Sequence, residues 1–455
     1  MDHKDVLLGK TVMSLVFAML MIGMPGGAQP VAPPSLTLAE AVTLATSGGS
    51  RQLAIADAGV AVAKAGVEEA RLFRQPQIHF NGGFEQTNNP VGVFSQLLVQ
   101  ENFQAENFAL DKLNRPDPQS DWSLRLSLEQ PLWTGGRIVA QQKAAGYQHE
   151  SLVAQRERTR QEVVLHVIES YANAVLAKHQ LAVAQEALQT ASAHVTLIED
   201  LFQGGLVVES DLLLAQVRES EIREVLIRAE SGVEISRAAL NLAMGQDLTT
   251  VWNFCEDLVL ETEPPEGDAE LSALVQRAQN RPDLEAVRKQ RAAAESQVHL
   301  ARASQRPQIG LRAAYEVHTE NLSGVDGDNW AIGVGVRMPL FENARARART
   351  ERAQAHVDEA REQGDLLAES IALETHQRFY ELRAARQRLA QTRKAVDLAK
   401  RSLSIVEDRY KEGLITLPGF LDAETALTEA RLREVAARRD VILARAQLDL
   451  ATGDL

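Results

Sequence analysis

Two periodicities divide the chain. In "WSLRLSLEQ", Trp122, Leu124, Leu126 and Leu128 alternate with Ser123, Arg125, Ser127 and Glu129. In "WAIGVGVRM", Trp330, Ile332, Val334, Val336 and Met338 alternate with Ala331, Gly333, Gly335 and Arg337. "QIGLRAAYEV" and, less cleanly, "QIHFNGGFEQ" carry Ile309, Leu311 and Tyr315, or Ile78, Phe80 and Phe84, on their apolar side. A period of two predicts β-strands with one apolar face. Each stretch is about the 9–11 residues of a tilted membrane strand, although a half-buried sheet in a soluble protein would read the same way.

Elsewhere the apolar spacing is helical. No proline interrupts the chain between Pro131 and Pro264 or between Pro339 and Pro418. Heptad-like positions continue through Val164, Val167, Ile168, Tyr171 and Val175 in one stretch and Ile371, Phe379, Leu382 and Leu389 in the other. Helices are predicted over about 135–203 and 343–412, and roughly 70 residues at 1.5 Å each make about 105 Å. Helical pieces about half as long are expected before the first strand, after each long helix, and over about 271–304.

These elements occur twice. "EDLFQGGLVVESDLLLAQ" at 199–216 answers "EDRYKEGLITLPGFLDAE" at 407–424, with Gly205 and Gly413 standing 208 residues apart. Pro131 and Pro339 keep that separation, as do Gly245 and Gly453, which indicates a gapless duplication. Upstream, Pro76 and Pro307 are 231 apart, so the first copy holds 23 extra residues, which fall within 89–120. An insertion in one copy alone predicts a loop projecting away from the shared core. The chain divides into residues 1–28 as a leader, 29–253 as the first repeat, 254–268 as a linker and 269–455 as the second repeat.

The leader carries Lys4 and Lys10, the apolar run "TVMSLVFAMLMIGM" and the small residues "PGGA", the layout of a cleaved secretory signal. Its apolar run is shorter than the ~20 residues of a spanning helix. The single cysteine, Cys255, excludes a disulfide framework. Net charge −14 argues against a nucleic-acid surface, which needs clustered Lys and Arg. A secreted chain without apolar helices can enter a bilayer only as strands, and those must close because open edges leave backbone groups unpaired in hydrocarbon. Four strands cannot close, since the smallest membrane barrels have about eight, so several chains must share one barrel.

The hairpins after "RQPQI" and "QRPQI", the "QPLW" and "MPLF" that lead into long helices, and the duplicated F/Y-x-x-G-L turns together resemble the TolC-like outer membrane efflux protein family, over essentially the whole mature chain. The resemblance implies a mainly α fold with a membrane β-barrel. Three chains share one 12-stranded barrel, four strands each, which a long α-helical barrel continues through the periplasm. It implies an outer membrane exit duct for a tripartite efflux or type I secretion system. The implied partners are two further copies, a periplasmic adaptor, an inner membrane transporter and outer membrane lipid, with no catalytic site and no cofactor.

Carried onto this sequence, the resemblance places a periplasmic gate at Asp211, Asp422 and Tyr410. Rings of three carboxylates at a pore mouth select cations, while the same acids near a helix N-terminus also serve as dipole partners. Ser210 and Asp211 are expected to cap the returning helix and Pro418 to sit in the first turn of its counterpart. The tip turns Gly204, Gly205, Leu206, Gly413 and Leu414 are the expected adaptor-docking surface. Ile415 stands where some members carry an arginine, so the resemblance does not carry the family's usual closing contacts over to this position. Arg125 and Arg337 fall on the barrel's lumen side.

"HVIE" puts His166 and Glu169 on one helical face, but the ten histidines form no ligand cluster. No nucleophile elbow, phosphate loop or paired-carboxylate motif is present, so no enzyme is expected. The competing reading is a trimeric helical surface or scaffold protein anchored in the outer membrane. Its stalk would have no reason to double back twice. A standalone porin would not need ~100 Å helices.

Overall fold

The computed structural model describes residues 34–254, 268–322, 324–341 and 343–455. The leader, Cys255 and most of the linker lie outside them. Two helices set the long dimension: α5 (Arg137–Gln203, 67 residues) and α9 (Asn343–Lys411, 69 residues). At 1.5 Å per residue each is about 100 Å long. Each turns back into a 36-residue helix, α6 (Glu209–Met244) after α5 and α10 (Leu417–Thr452) after α9.

The stretch before the first strand is two helices rather than one. Helix α1 (Leu38–Leu44) ends in a turn at Ala45–Gly49, where Gly48 takes φ 119°, and α2 (Arg51–Leu72) restarts with the Ser50 side chain accepting from Leu53 N–H. The second copy breaks in the same way. Helix α7 (Asp268–Ala278) is separated from α8 (Pro282–Ala303) because Pro282 can open a helix but cannot continue one. Both breaks correct the expectation of unbroken half-helices.

The half-length helices stack end to end beside the long ones. Toward the sheet, α5 is tied to α2 by Arg156–Asp57 (2.8 Å) and to α8 by Lys289–Glu150 (2.8 Å). Toward the other end it packs on α6 and α10. The first junction needs two glycines, since a Cβ on Gly245 would overlap the carbonyl of Gly49 and one on Gly49 would overlap that of Met244. Here β1 (Ser35–Leu36) pairs in parallel with β4 (Asn253–Phe254), over a core of Leu36, Val167, Tyr171, Val175, Leu240 and Met244. The fully buried Asn241 receives the Trp252 indole N–H (2.6 Å) and donates to the carbonyls of Leu248 and Thr250.

At the second junction the C-terminus of α10 meets the start of α8. Two of its last carbonyls, and that of Leu455 just beyond the helix, are taken by cations, as the dipole favours at a helix C-terminus. Arg158 donates to Leu450 O (2.9 Å), Arg160 to Leu455 O (2.8 Å) and Arg281 to Ala451 O (3.2 Å). Arg281, 4% exposed, also holds Glu374 of α9 (2.6 Å) and Asp283 (2.7 Å). The Asp283 carboxyl lies below its ordinary range: burial alone would raise it, but the hydrogen bond and charge of Arg281 and the charge of Arg158 prevail.

The four long strands form one antiparallel sheet in the order β2 (Gln77–Thr87), β3 (Gln119–Trp133), β5 (Gln308–Thr319), β6 (Gly327–Arg337). Its register separates the two faces. Phe80, Leu126, Tyr315 and Trp330 line up across the strands on one side, next to Leu128, Ala313 and Ile332. On the other side the row runs Asn81, Arg125, Glu316, Asn329, with Arg125 and Glu316 paired at 2.8 Å. Arg337 shares that polar face by alternation. The apolar face is bare: Phe80 is 69% exposed and Trp330 73%. Among the described residues β2 and β6 have no further strand partner.

The insertion between β2 and β3 does not project away as an open loop. It folds into α3 (Pro90–Val99), a short turn at Ala105–Phe108 and α4 (Leu110–Asn114), and Gln100 within it is fully buried. Among the described residues no helix is long and apolar enough to cross a membrane.

Candidate functional site

The far ends of α5 and α9 share one local device. In the first copy Gly205 adopts φ 71°, its N–H bonds Phe202 O (2.9 Å) and the Leu206 N–H bonds Leu201 O (2.9 Å). In the second, Gly413 adopts φ 74°, with Gly413 N–H on Tyr410 O (2.9 Å) and Leu414 N–H on Arg409 O (2.8 Å). This is the Schellman closure of a helix, which needs a left-handed residue that glycine supplies without a Cβ penalty. Leu206, Val208 and Leu414 then stand in solvent at 75%, 61% and 71% exposure.

The restart differs from expectation by two residues. Val208 and Thr416, both extended, precede α6 and α10 without a side-chain cap, so Ser210 and Asp211 lie inside the first turn rather than capping it. Asp211 therefore acts on the helix through its charge at the positive end of the dipole. Pro418 sits in the first turn of α10, where its missing N–H costs nothing.

Below the turns the four helices close on Ile198, Ala215, Leu417, Phe420 and Leu421, with Tyr410 against them. The Tyr410 ring stacks on Phe420 at 5.1 Å between centroids and 17° between planes. Burial raises the Tyr410 hydroxyl pKa and the nearby Asp211 charge raises it further, so these two candidate residues, one from each half of the chain, lie within electrostatic reach of each other. Asp422 is exposed on α10.

Three contacts that pin the tip carry no repeat signal. His194 meets Glu424 at 3.0 Å and packs edge-on against Phe420, Arg218 donates to Thr425 (2.6 Å), and Ser192 donates to Glu219 (2.8 Å). None of these residues faces its own counterpart 208 positions away, so the duplication could not reveal them. Glu169 of the "HVIE" stretch accepts from Gln447 of α10 (3.3 Å). Arg125 and Arg337 lie at the other end of the molecule, on the sheet. Among the described residues no cluster of three or more His, Cys, Asp or Glu is placed to hold a metal ion.

The family model for outer membrane efflux proteins matches residues 46–246 and 273–454, one segment in each half of the chain. The chain belongs to the outer membrane efflux protein family. Among similar sequences, the outer membrane efflux protein BepC of Brucella suis biovar 1 (strain 1330) is 29% identical over 150 residues, 32% of this chain and 33% of BepC. The outer membrane protein TolC of Vibrio cholerae is 23% identical over 369 residues, 79% of this chain and 83% of that protein. The structure of the Campylobacter jejuni CmeC outer membrane channel superposes with a TM-score of 0.78 at 17% identity, over 92% of this chain and 85% of CmeC, a likeness of fold. As an outer membrane efflux protein, the chain has its place in the outer membrane, and the sheet is the part of it suited to hydrocarbon.

Proposed function

We propose that three copies join their sheets edge to edge into one 12-stranded barrel, and that the helices continue it as a tunnel through the periplasm. The repeats 29–253 and 269–455 are then two copies of one building unit, linked by 254–268. The observation that carries this reading is the sheet itself, whose apolar face is bare on one side, whose charged and small residues lie on the other, and whose two edges end unpaired. Closing three sheets removes every edge, turns Phe80, Leu126 and Trp330 to lipid, and puts Arg125 and Arg337 on the lumen.

The duct carries substrate outward, as the exit component of a tripartite efflux or type I secretion system. The exposed tip turns Gly204, Gly205, Leu206, Gly413 and Leu414 dock a periplasmic adaptor that joins it to an inner membrane transporter. Asp211, Asp422 and Tyr410 form the gate, with three copies of each acid ringing the mouth and giving it cation preference. Single-channel recordings in planar bilayers test this: Asp211→Asn with Asp422→Asn should lower cation selectivity, and unchanged selectivity refutes the rings. Native mass together with electron microscopy tests the assembly, where a tapered three-chain tube is expected and a monomer or a solid stalk overturns the duct.

A further inference from the structure

The connection between β2 and β3 lies against the polar face of the sheet at the end farthest from the helices. Gly327, which opens β6, shows this most directly, because a Cβ there would overlap the carbonyl of Val99 at the end of α3. Gly327 pairs with His318, and His318 lies on the polar face beside Asp121. Gln100 completes the seat: its amide donates to Ser120 O (2.8 Å) and Asp121 Oδ1 (2.9 Å), and its carbonyl accepts from Gln119 (3.0 Å). From there a chain of contacts runs down the face, from Asp121 to His318 Nδ1 (3.0 Å), from His318 Nε2 to Glu316 (3.6 Å), and from Glu316 to Arg125 (2.8 Å).

The segment has order of its own. The Asn89 side chain accepts from Val91 and Gly92 N–H at the start of α3, with Pro90 in the first turn. Phe103 packs edge-on against both Phe94 and Phe108. Glu101, at φ 55°, is the one non-glycine residue with positive φ among those described. A glutamate is held there only where its surroundings impose the conformation, and the buried Gln100 beside it supplies that constraint.

Helix α3 starts just past β2, at one edge of the sheet, and ends on β6, at the other. Its 10 residues span about 15 Å, which matches about three strand spacings of 4.8 Å. It is a crossbar laid over the polar face from edge to edge.

We propose that this crossbar is a second constriction, at the outer mouth of the duct, which limits the size of what passes between lumen and exterior. The proposal rests on the trimeric reading, in which the polar face lines the lumen. Twelve strands about 4.8 Å apart and tilted about 40° close into a barrel roughly 24 Å across, so the wall stands about 12 Å from the axis. A helix with its side chains is about 10 Å thick. Three crossbars, one per chain, fill most of that radius and leave an opening of only a few ångström, on the order of the clearance between wall and helix. The second hairpin has no counterpart, since β5 and β6 are joined by the short segment 320–326.

The test uses the full chain in intact cells, with Cys255→Ser and a reporter at Ala331→Cys, on the polar face below the crossbar. A small thiol reagent and a polyethylene-glycol maleimide too wide for the aperture are added from outside. The chain with its native 89–118 segment should be labelled by the small reagent alone, and replacement of that segment by a copy of 320–326 should abolish the size exclusion. Gly327→Val, which keeps the segment but unseats it, should admit the wide reagent partially. Equal labelling by the wide reagent with and without the segment, whether high or low, overturns the constriction and leaves the duct intact. If neither reagent labels Ala331→Cys in the shortened chain, although both label it after denaturation, the lumen assignment fails and the constriction with it.

Discussion

Arg281→Ala removes a 4% exposed guanidinium that bonds Glu374 (2.6 Å), Asp283 (2.7 Å) and the carbonyl of Ala451 (3.2 Å). Taking one partner from a buried ion pair costs about 3–5 kcal/mol, because the remaining charge stays desolvated. The Glu374 side chain is 34% exposed and recovers some hydration, which places the cost at the lower end, about 3 kcal/mol. For 455 residues the entropy of unfolding is about 1 kcal/mol/K, so Tm should fall by about 3 °C. Melting of the detergent-purified protein, followed by far-UV circular dichroism at one scan rate and one protein concentration, reads this directly.

Acid pH supplies an internal control. Asp283 has its folded pKa depressed, so its contribution is present above the ordinary carboxylate range and is lost as pH falls through the folded value. The Tm gap between the native chain and Arg281→Ala should therefore narrow on acidification, and Asp283→Asn added to Arg281→Ala should restore part of the loss. An unchanged Tm at neutral pH, or a gap that stays constant into acid, refutes the argument that the helix junction is held by this pair.

Gly413→Ala forces a Cβ into the left-handed region and should cost about 1 kcal/mol; Gly413→Asn should cost less, and equal melting points for the two would reject the conformational reason for the glycine. Tyr410→Phe keeps the stack on Phe420, whereas Tyr410→Ala removes it, so only the alanine variant should raise the open probability of single channels. Asn241→Ala deletes three buried hydrogen bonds at the first junction and should cost about 3 kcal/mol at roughly 1 kcal/mol each. A shift in the denaturation midpoint below a third of that would mean that water replaces the amide.

The strands and long helices are legible from the chain because their signals are local. Alternation from Trp122 to Leu128 and from Trp330 to Val336 fixes which face is apolar, and a one-residue slip would invert it. The helix ends at Gln203 and Lys411 are marked by the duplicated glycine turns. The breaks inside the shorter helices had local signals as well, the "SGGS" at 47–50 and Pro282, but both sit within otherwise good helical patterns that mask them. Val208, which precedes α6, has no capping side chain, whereas Ser210 and Asp211 each have one, so capping chemistry alone points to a start two residues too late. What composition could not convey is tertiary placement. Nothing around Gln100 announces that it reaches Asp121 and Ser120, and nothing around His194 points to Glu424, because the halves that supply these partners meet only after folding. Of the candidate gate, Asp211, Asp422 and Tyr410 follow from the family resemblance and not from spacing, since the duplication places Leu214 opposite Asp422, and the nearness of Tyr410 to Asp211 is visible only in the fold.

The two unpaired edges also set the order of assembly. Among the described residues, strands β2 and β6, 11 residues each, have no partner on their outer side, where about every second residue directs its N–H and C=O. In hydrocarbon each such group costs several kcal/mol, so a lone sheet would face a barrier on the order of tens of kcal/mol before entering the bilayer. On the proposed closure of three sheets into one barrel, chains meet before or while they insert, and the rate of forming a working duct should rise more steeply than linearly with the supply of newly exported chains. At low expression the limiting event would be encounter in the aqueous compartment, during which the bare strands must be kept from pairing with the wrong neighbour.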